Sequence, residues 1–331
     1  MAKKPNIVVI GGGTGAYTVL KGLRKYPVDL SVIVSMMDSG GSNRVLRDEF
    51  GILPTSDIRQ CIVALSSNNA NGLIRELFTY RYSQGTGIEG MTFGNLFMAA
   101  LADIYGSQEK AIEKTCEFLG VAGKIIPVTY DNSHLVVRYA NGAQVLGEHF
   151  IDEPDERNGK SKIVELSLVP PAKANKKALS AVKQADLIVI GPGDLYTSLI
   201  CNLVVDGVAS AVKRSKAKKV FIINLMTKFG QTHGFGALDH INALEKYLGE
   251  GAINYCLINR TGKISKSILK RYEEENAYLV KDDLKNAKGV KVTRADFVSS
   301  EVYGKHEKDK LKRSLVRHDS DKLAKAIFDI I

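Results

Sequence analysis

Residues 7–15 read IVVIGGGTG. Four apolar, mostly β-branched residues, Ile7 to Ile10, run into Gly11, Gly12, Gly13, Thr14 and Gly15, and then into AYTVLKGLRKY, which has helical spacing. The pattern is a strand, a tight turn and a helix start. Glycines suit such a turn because they tolerate positive φ and lack a Cβ, so peptide N–H groups can approach an anion closely. The helix N-terminus adds partial positive charge. Gly11, Gly13 and Ala16 match the dinucleotide fingerprint in its alanine-ending form, and Asp38 follows the second strand, where an acid would reach a ribose. Alone, this points to a dinucleotide and hydride transfer. No Lys-Ser or Lys-Thr pair follows the glycines, which excludes the triphosphate P-loop. The same glycines would equally serve a turn needed only for close strand-to-helix packing.

The chain around this stretch has 331 residues, enough for one large α/β domain or a domain with a substantial insertion. Hydrophobic residues make up 44% and charged residues 25%, the balance of a folded globular protein rather than a disordered or fibrous one. MAKKPN enters the first strand at once, and no apolar run approaches the ~20 residues that span a bilayer, so a cytoplasmic location without a membrane partner is expected. Cys61, Cys116, Cys201 and Cys256 are widely separated and lack metal-ligand spacing, which predicts reduced thiols and no metal site. The net charge of +10 comes from scattered lysines, as in KRSKAKK and KHEKDKLKR, without interleaved aromatics. Solvated basic faces are expected rather than a nucleic-acid partner, and a phosphate-bearing small ligand would profit from the same field.

Strand and helix patterns alternate through 1–123, beginning with LSVIVSM and continuing to SQEKAIEKTCEFLG. Over 124–168 the texture changes: KIIPVTY, SHLVVRYANGAQVLGEHF and KIVELSLVP read as strands, with Asn141-Gly142 a hairpin signal. Alternation resumes over 169–331 with ADLIVI, KKVFIINLM, INYCLINR and GVKVTRADFVS as strands and a last helix capped near Asp319 or Ser320. The expectation is a Rossmann-like α/β domain, 1–123 with 169–331, whose mainly parallel, doubly wound sheet is interrupted by a small β-rich subdomain over 124–168.

Ligands of such sheets lie at the carboxyl ends of strands, and further loops there carry chemistry. Asp38, Ser39, Gly40, Gly41 and Ser42 form a second glycine-bearing loop. Asn95, beside Gly94, opens an apolar helix. In GPGDLYTSL, Gly191 and Gly193 bend the chain, and Asp194, Thr197 and Ser198 bring polar groups to a helix start, where Asp194 could equally be a cap. Asn224 closes a strand and Thr227 lies in the long polar loop behind it, with Gln231, Thr232 and His233. His233 and His240 lack metal-helix spacing, and no nucleophile elbow or Cys-His neighbourhood is visible, so no catalytic residue is assigned.

Taken together, NIVVIGGGTG, MMDSGGS, GILPTSDIRQCIVAL, GNLFMAAL, GPGDLYTSLICNL, NLMT, GFGALDHI and RHDSDKLAKAI resemble the CofD-like superfamily, specifically its YvcK-type gluconeogenesis factors. The resemblance implies a Rossmann-like fold that binds a nucleotide sugar such as UDP-N-acetylglucosamine. It further implies a regulator, without a required cofactor, that links carbon metabolism to cell-wall synthesis and cell shape. A homodimer and a regulatory protein partner follow from the same resemblance. Carried onto this chain, it assigns Thr14, Asn202 and Arg317 to the nucleotide sugar. The enzyme branch implies instead a Mg2+-dependent transferase that moves a phospholactyl group from a nucleotide-activated donor to a deazaflavin. Departures from the pattern are Ser39 after Asp38 in place of a second acid, Gly90-Met91-Thr92 for Gly-His-Ser, NLMTKFGQTHGF for NLMTQPGETDGF, and Asp194 for serine.

Overall fold

The structure, a computed structural model, describes residues 3–66, 72–260, 264–287, 289–300 and 314–331. Strand β1 (Asn6–Ile10) feeds α1 (Gly13–Leu23), followed by β2 (Asp29–Val34). Helices α2 (Gly41–Phe50), α3 (Ser56–Leu65), α4 (Gly72–Thr79), α5 (Phe93–Tyr105) and α6 (Gln108–Phe118) precede β3 (Lys124–Pro127). Then come β4 (His134–Tyr139), β5 (Gln144–Leu146), α7 (Glu148–Asp152), α8 (Glu156–Gly159) and β6 (Ile163–Val169). Helix α9 (Lys176–Gln184) and β7 (Leu187–Ile190) lead to a π-helical turn, Leu195–Ile200, that runs into α10 (Cys201–Leu203). The remainder is α11 (Val208–Arg214), β8 (Lys218–Ile222), α12 (Ala237–Leu248), β9 (Tyr255–Asn259), α13 (Lys266–Glu274), β10 (Lys291–Ala295) and α14 (Ser320–Phe328).

Seven strands form a parallel sheet in the order β10-β9-β8-β7-β1-β2-β3. Strand β1 is apolar along its length because both of its faces are covered. Ile7 and Val9 pack with Leu20, Ile62 and Leu323, from α1, α3 and α14, while Val8 and Ile10 pack toward Val182, Val212 and Leu244 of α9, α11 and α12. Asp319 caps α14 by accepting from the Asp321 and Lys322 N–H groups, 2.9 and 3.0 Å. All four cysteines are free thiols, and burial pushes Cys201 and Cys256 up to about 12. Among the described residues no helix is long and apolar enough to cross a membrane.

The small antiparallel sheet, in the order β5-β4-β6, is narrower than the sequence suggests. KIIP pairs in parallel with β2, Val32 opposite Ile125, and so belongs to the main sheet. Its consecutive isoleucines explain this: Ile125 packs into the core on one face of that sheet and Ile126 into the core on the other, as an alternating surface strand cannot do. The antiparallel layer therefore starts at His134. The Asn141-Gly142 hairpin forms between β4 and β5, with Gly142 at φ +86°.

Candidate functional site

From β1 the chain winds outward through β2 to β3, then returns to the other side of β1 and winds outward again from β7 to β10. The reversal lies between β1 and β7, the switch point at which sheets of this kind place a ligand crevice beyond the strand ends. The Gly191 N–H donates to the Ile10 carbonyl at 3.0 Å and the Gly11 N–H to that of Ile33 at 3.1 Å, tying both loops to the strand ends.

The glycines of the first loop are largely spoken for by the protein itself. A Cβ on Gly12 would lie 1.8 Å from Asp57 Oδ2, and one on Gly15 would lie 1.9 Å from the Pro192 carbonyl oxygen. The Gly13 N–H, a free donor at the start of α1, is taken by Asp57 Oδ1 at 2.8 Å. An internal carboxylate thus holds part of the place that the glycine pattern offers to a phosphate, whereas Thr14 stays exposed. Burial, with Asp38 nearby, pushes the Asp57 carboxyl up to about 7, against the pull of the Gly13 N–H and Arg59. Among the sequence candidates Asp57 was missing: at the start of α3 it looks like an ordinary first-turn acid.

Asp38, in the second loop, accepts from the Gly40 N–H at 2.9 Å and from the Asn43 amide. Asn43 accepts in turn from Ser56 Oγ at 3.0 Å, Ser56 from Asn95 Nδ2 at 3.4 Å, and Asn95 Oδ1 from Arg59 Nε at 3.2 Å. Asn95 is fully buried in this relay, which joins α5 to α3. Ser42 lies in α2, its side chain outside the described residues. Glu148, at the start of α7, approaches from the small sheet: Ser39 N–H donates to Glu148 Oε2 at 3.4 Å, and the His149 N–H donates to Ser39 Oγ at 3.1 Å. Burial raises both Asp38 and Glu148; Asp152 adds to the rise at Asp38, and Asp38 and Asp152 add to it at Glu148.

The third and fourth loops meet on the other wall. Asn224 clasps Gly193, accepting its N–H at 3.2 Å and donating to its carbonyl at 2.9 Å. Thr227 does the same for Tyr278, accepting its N–H on Oγ1 at 2.9 Å and donating its own N–H to that carbonyl at 2.6 Å. Both candidates therefore shape the loops through backbone groups. Asp194 precedes the π-helical turn but caps nothing; its Oδ2 lies 2.7 Å from Lys228 Nζ. The same ammonium donates to Asp152 Oδ1, at the end of α7. Asp152 also accepts from Thr197 Oγ1 at 3.2 Å and Gln231 Nε2 at 2.9 Å. Burial alone would lower Lys228; Asp194 and Asp152 outweigh it and hold the ammonium above the usual lysine value. Two departures from the family pattern, Asp194 and Lys228, are thus each other's partners.

Ser198 is half-buried in the turn. Asn202 is fully buried: Nδ2 donates to the Ser198 carbonyl at 2.8 Å, and Oδ1 is without a hydrogen-bond partner. Arg317 is half-buried, its Nε donating to the Ser314 carbonyl at 3.3 Å, on a segment that pairs with Val298 beyond β10. Its neighbour His318 lies against the Ile223 backbone at the end of β8, where burial lowers its pKa to about 4. Glu148 and Asp152 were also missing from the candidates. Their four-residue spacing places both on one helix face, but a five-residue helix inside strand-like sequence leaves little periodicity to detect.

The sequence model of the family described as 2-phospho-L-lactate transferase CofD matches residues 7–298. The chain belongs to the CofD family. Within it, this CofD-family chain is 35% identical over 333 residues to the gluconeogenesis factor of Bacillus subtilis, covering 100% of this chain and 99% of that one. It is 36% identical to the gluconeogenesis factor of Halalkalibacterium halodurans, covering 99% and 97%. A crystal structure of a UPF0052-family protein from Bacillus halodurans superposes with a TM-score of 0.89 at 35% identity, covering 99% of this chain and 100% of that one. The resemblance read from the ordered motifs and the Rossmann-like fold both hold.

Proposed function

We propose that this CofD-family chain is a cytoplasmic, non-catalytic regulator that binds a nucleotide sugar of the UDP-N-acetylglucosamine kind in the crevice between β1 and β7. It would couple carbon metabolism to cell-wall synthesis and cell shape, and do so as a homodimer acting on a protein partner. The observation that carries the reading is the convergence of four strand-end loops on one switch-point crevice, with Thr14 left exposed on the first of them. The kinship with gluconeogenesis factors over nearly the whole chain supports a regulatory role. Thr14 would offer its hydroxyl beside the start of α1, and Arg317 a guanidinium fork for phosphate oxygens. In isothermal titration calorimetry a UDP-sugar should bind saturably, and Thr14→Val and Arg317→Ala should each weaken it about tenfold, the worth of one charge-assisted hydrogen bond. Indifference to both substitutions would remove the assignment.

The transferase reading calls for a divalent cation held by carboxylates. Among the described residues no three His, Cys, Asp or Glu side chains converge so as to hold one. The two carboxylates that meet at the third and fourth loops, Asp152 and Asp194, already bracket Lys228. The residues do not fit the ion, and no step is derived through it.

A further inference from the structure

That misfit has a definite shape. Lys228 Nζ stands between a carboxylate from the end of α7, Asp152, and one from the loop after β7, Asp194. Two acids on one lysine leave a charge unmatched, the balance found around a divalent ion rather than in a simple ion pair. The ammonium has three N–H groups and spends two on these acids, which leaves one donor uncommitted, and the side chain is only partly buried. Its backbone is fixed: the Lys228 N–H donates to Thr232 Oγ1 at 2.8 Å, and the Thr232 N–H returns to the Lys228 carbonyl at 2.9 Å. Beside it, the Gly230 N–H donates to the Gly159 carbonyl at 3.1 Å, and a Cβ on Gly159 would overlap the Phe229 ring. A lysine whose loop is held by the Thr227 clasp on Tyr278 before it and by these contacts after it is preorganised rather than swinging free.

We infer that Lys228 is the resident cation of this site: its ammonium stands where a divalent ion would bridge protein carboxylates and a diphosphate, and binds the ligand's diphosphate directly. Ligand binding is therefore independent of metal, and removing the lysine converts Asp152 and Asp194 into a divalent-cation site. Neighbouring acids oppose ionisation here: Asp152 at Asp38, Asp38 and Asp194 at Asp57, and Asp38 and Asp152 at Glu148, so Lys228 is the cation set among these carboxyl groups. The inference rests on the nucleotide-sugar reading for the identity of the diphosphate only.

The test has one arm with nucleotide and one without. By calorimetry, wild-type affinity for UDP-N-acetylglucosamine should agree within about twofold between EDTA and Mg2+, whereas Lys228→Gln should lose about tenfold in EDTA and recover part of it with Mn2+. By electron paramagnetic resonance of Mn2+ without nucleotide, Lys228→Gln should bind the ion and wild type should not. Lys228→Gln combined with Asp194→Asn, one carboxylate poorer, should lose that Mn2+ binding. A wild-type affinity that needs Mg2+, a Lys228→Gln affinity unchanged in EDTA, or no Mn2+ gain in the folded variant overturns the inference. If Lys228→Gln does not fold, the wild-type comparison between EDTA and Mg2+ decides alone. If wild type binds no UDP-sugar but Lys228→Gln gains Mn2+, the nucleotide-sugar reading falls while the resident cation stands.

Discussion

Gly15→Ala is expected to destabilise the protein on the order of 3 kcal/mol and to open the crevice. On helix propensity alone the change would help, since Gly15 lies in α1 and alanine is favoured there by about 1 kcal/mol. Sterics decide the sign instead. The new Cβ would sit 1.9 Å from the Pro192 carbonyl oxygen, a backbone atom that no rotamer change can move aside. Relief requires α1 to separate from the loop after β7, the same two elements that form the crevice walls. Thermal unfolding should show a Tm lower by roughly 4 °C. Gly72→Ala is the matched control, because a Cβ there meets nothing within 4 Å, and its change should stay within about 0.5 kcal/mol. Equal behaviour of the two variants would mean that the contact between α1 and Pro192 is not formed.

The second large effect concerns protons. Asp57 has a carboxyl raised from an ordinary 3.8 to about 7 in the folded chain, first by burial and then by Asp38. Between these values the native state keeps a proton that the unfolded chain has released, so stability falls as pH rises. The slope is at most about 1.4 kcal/mol per pH unit, and the full loss, on the order of 4 kcal/mol, is in place above about pH 7. Asp57→Asn keeps an oxygen to accept the Gly13 N–H but has no proton to lose. Denaturant unfolding across this range should therefore give curves that coincide near pH 4 and diverge as pH rises, with the variant more stable at pH 8. Asp38 and Glu148 are raised in the same direction and should leave the variant a residual slope. Parallel curves for variant and wild type would show that Asp57 is ionised throughout.

Much of this was legible in the sequence, for identifiable reasons. The β-branched run before Gly11, and its recurrence before Gly191 and Asn224, marks buried parallel strands whose ends must share one edge. That geometry brings the loop residues to one edge of the sheet. Illegible were contacts between distant segments: Lys228 and Asp152 are 76 residues apart, and nothing local to either announces the other. Asn224 and Thr227 read as ligand groups because a carboxamide or hydroxyl that clasps a neighbouring peptide looks the same in sequence as one awaiting a substrate. The glycine run was ambiguous on the same principle. Close packing against Asp57 and Pro192 and close approach to an anion both demand a missing Cβ, and here the first accounts for Gly12 and Gly15.

Helix α7 is only five residues long, yet its first residue reaches the loop after β2 and its last reaches Lys228 on the opposite wall. Such a piece acts as a strut, and a strut transmits length. If a guest spreads or draws in the walls of the crevice, α7 must tilt or release one end. The exposed Phe150 of α7 and the exposed Leu146 at the end of β5 would move with it. The occupancy of the crevice would then be written on a surface that no ligand touches.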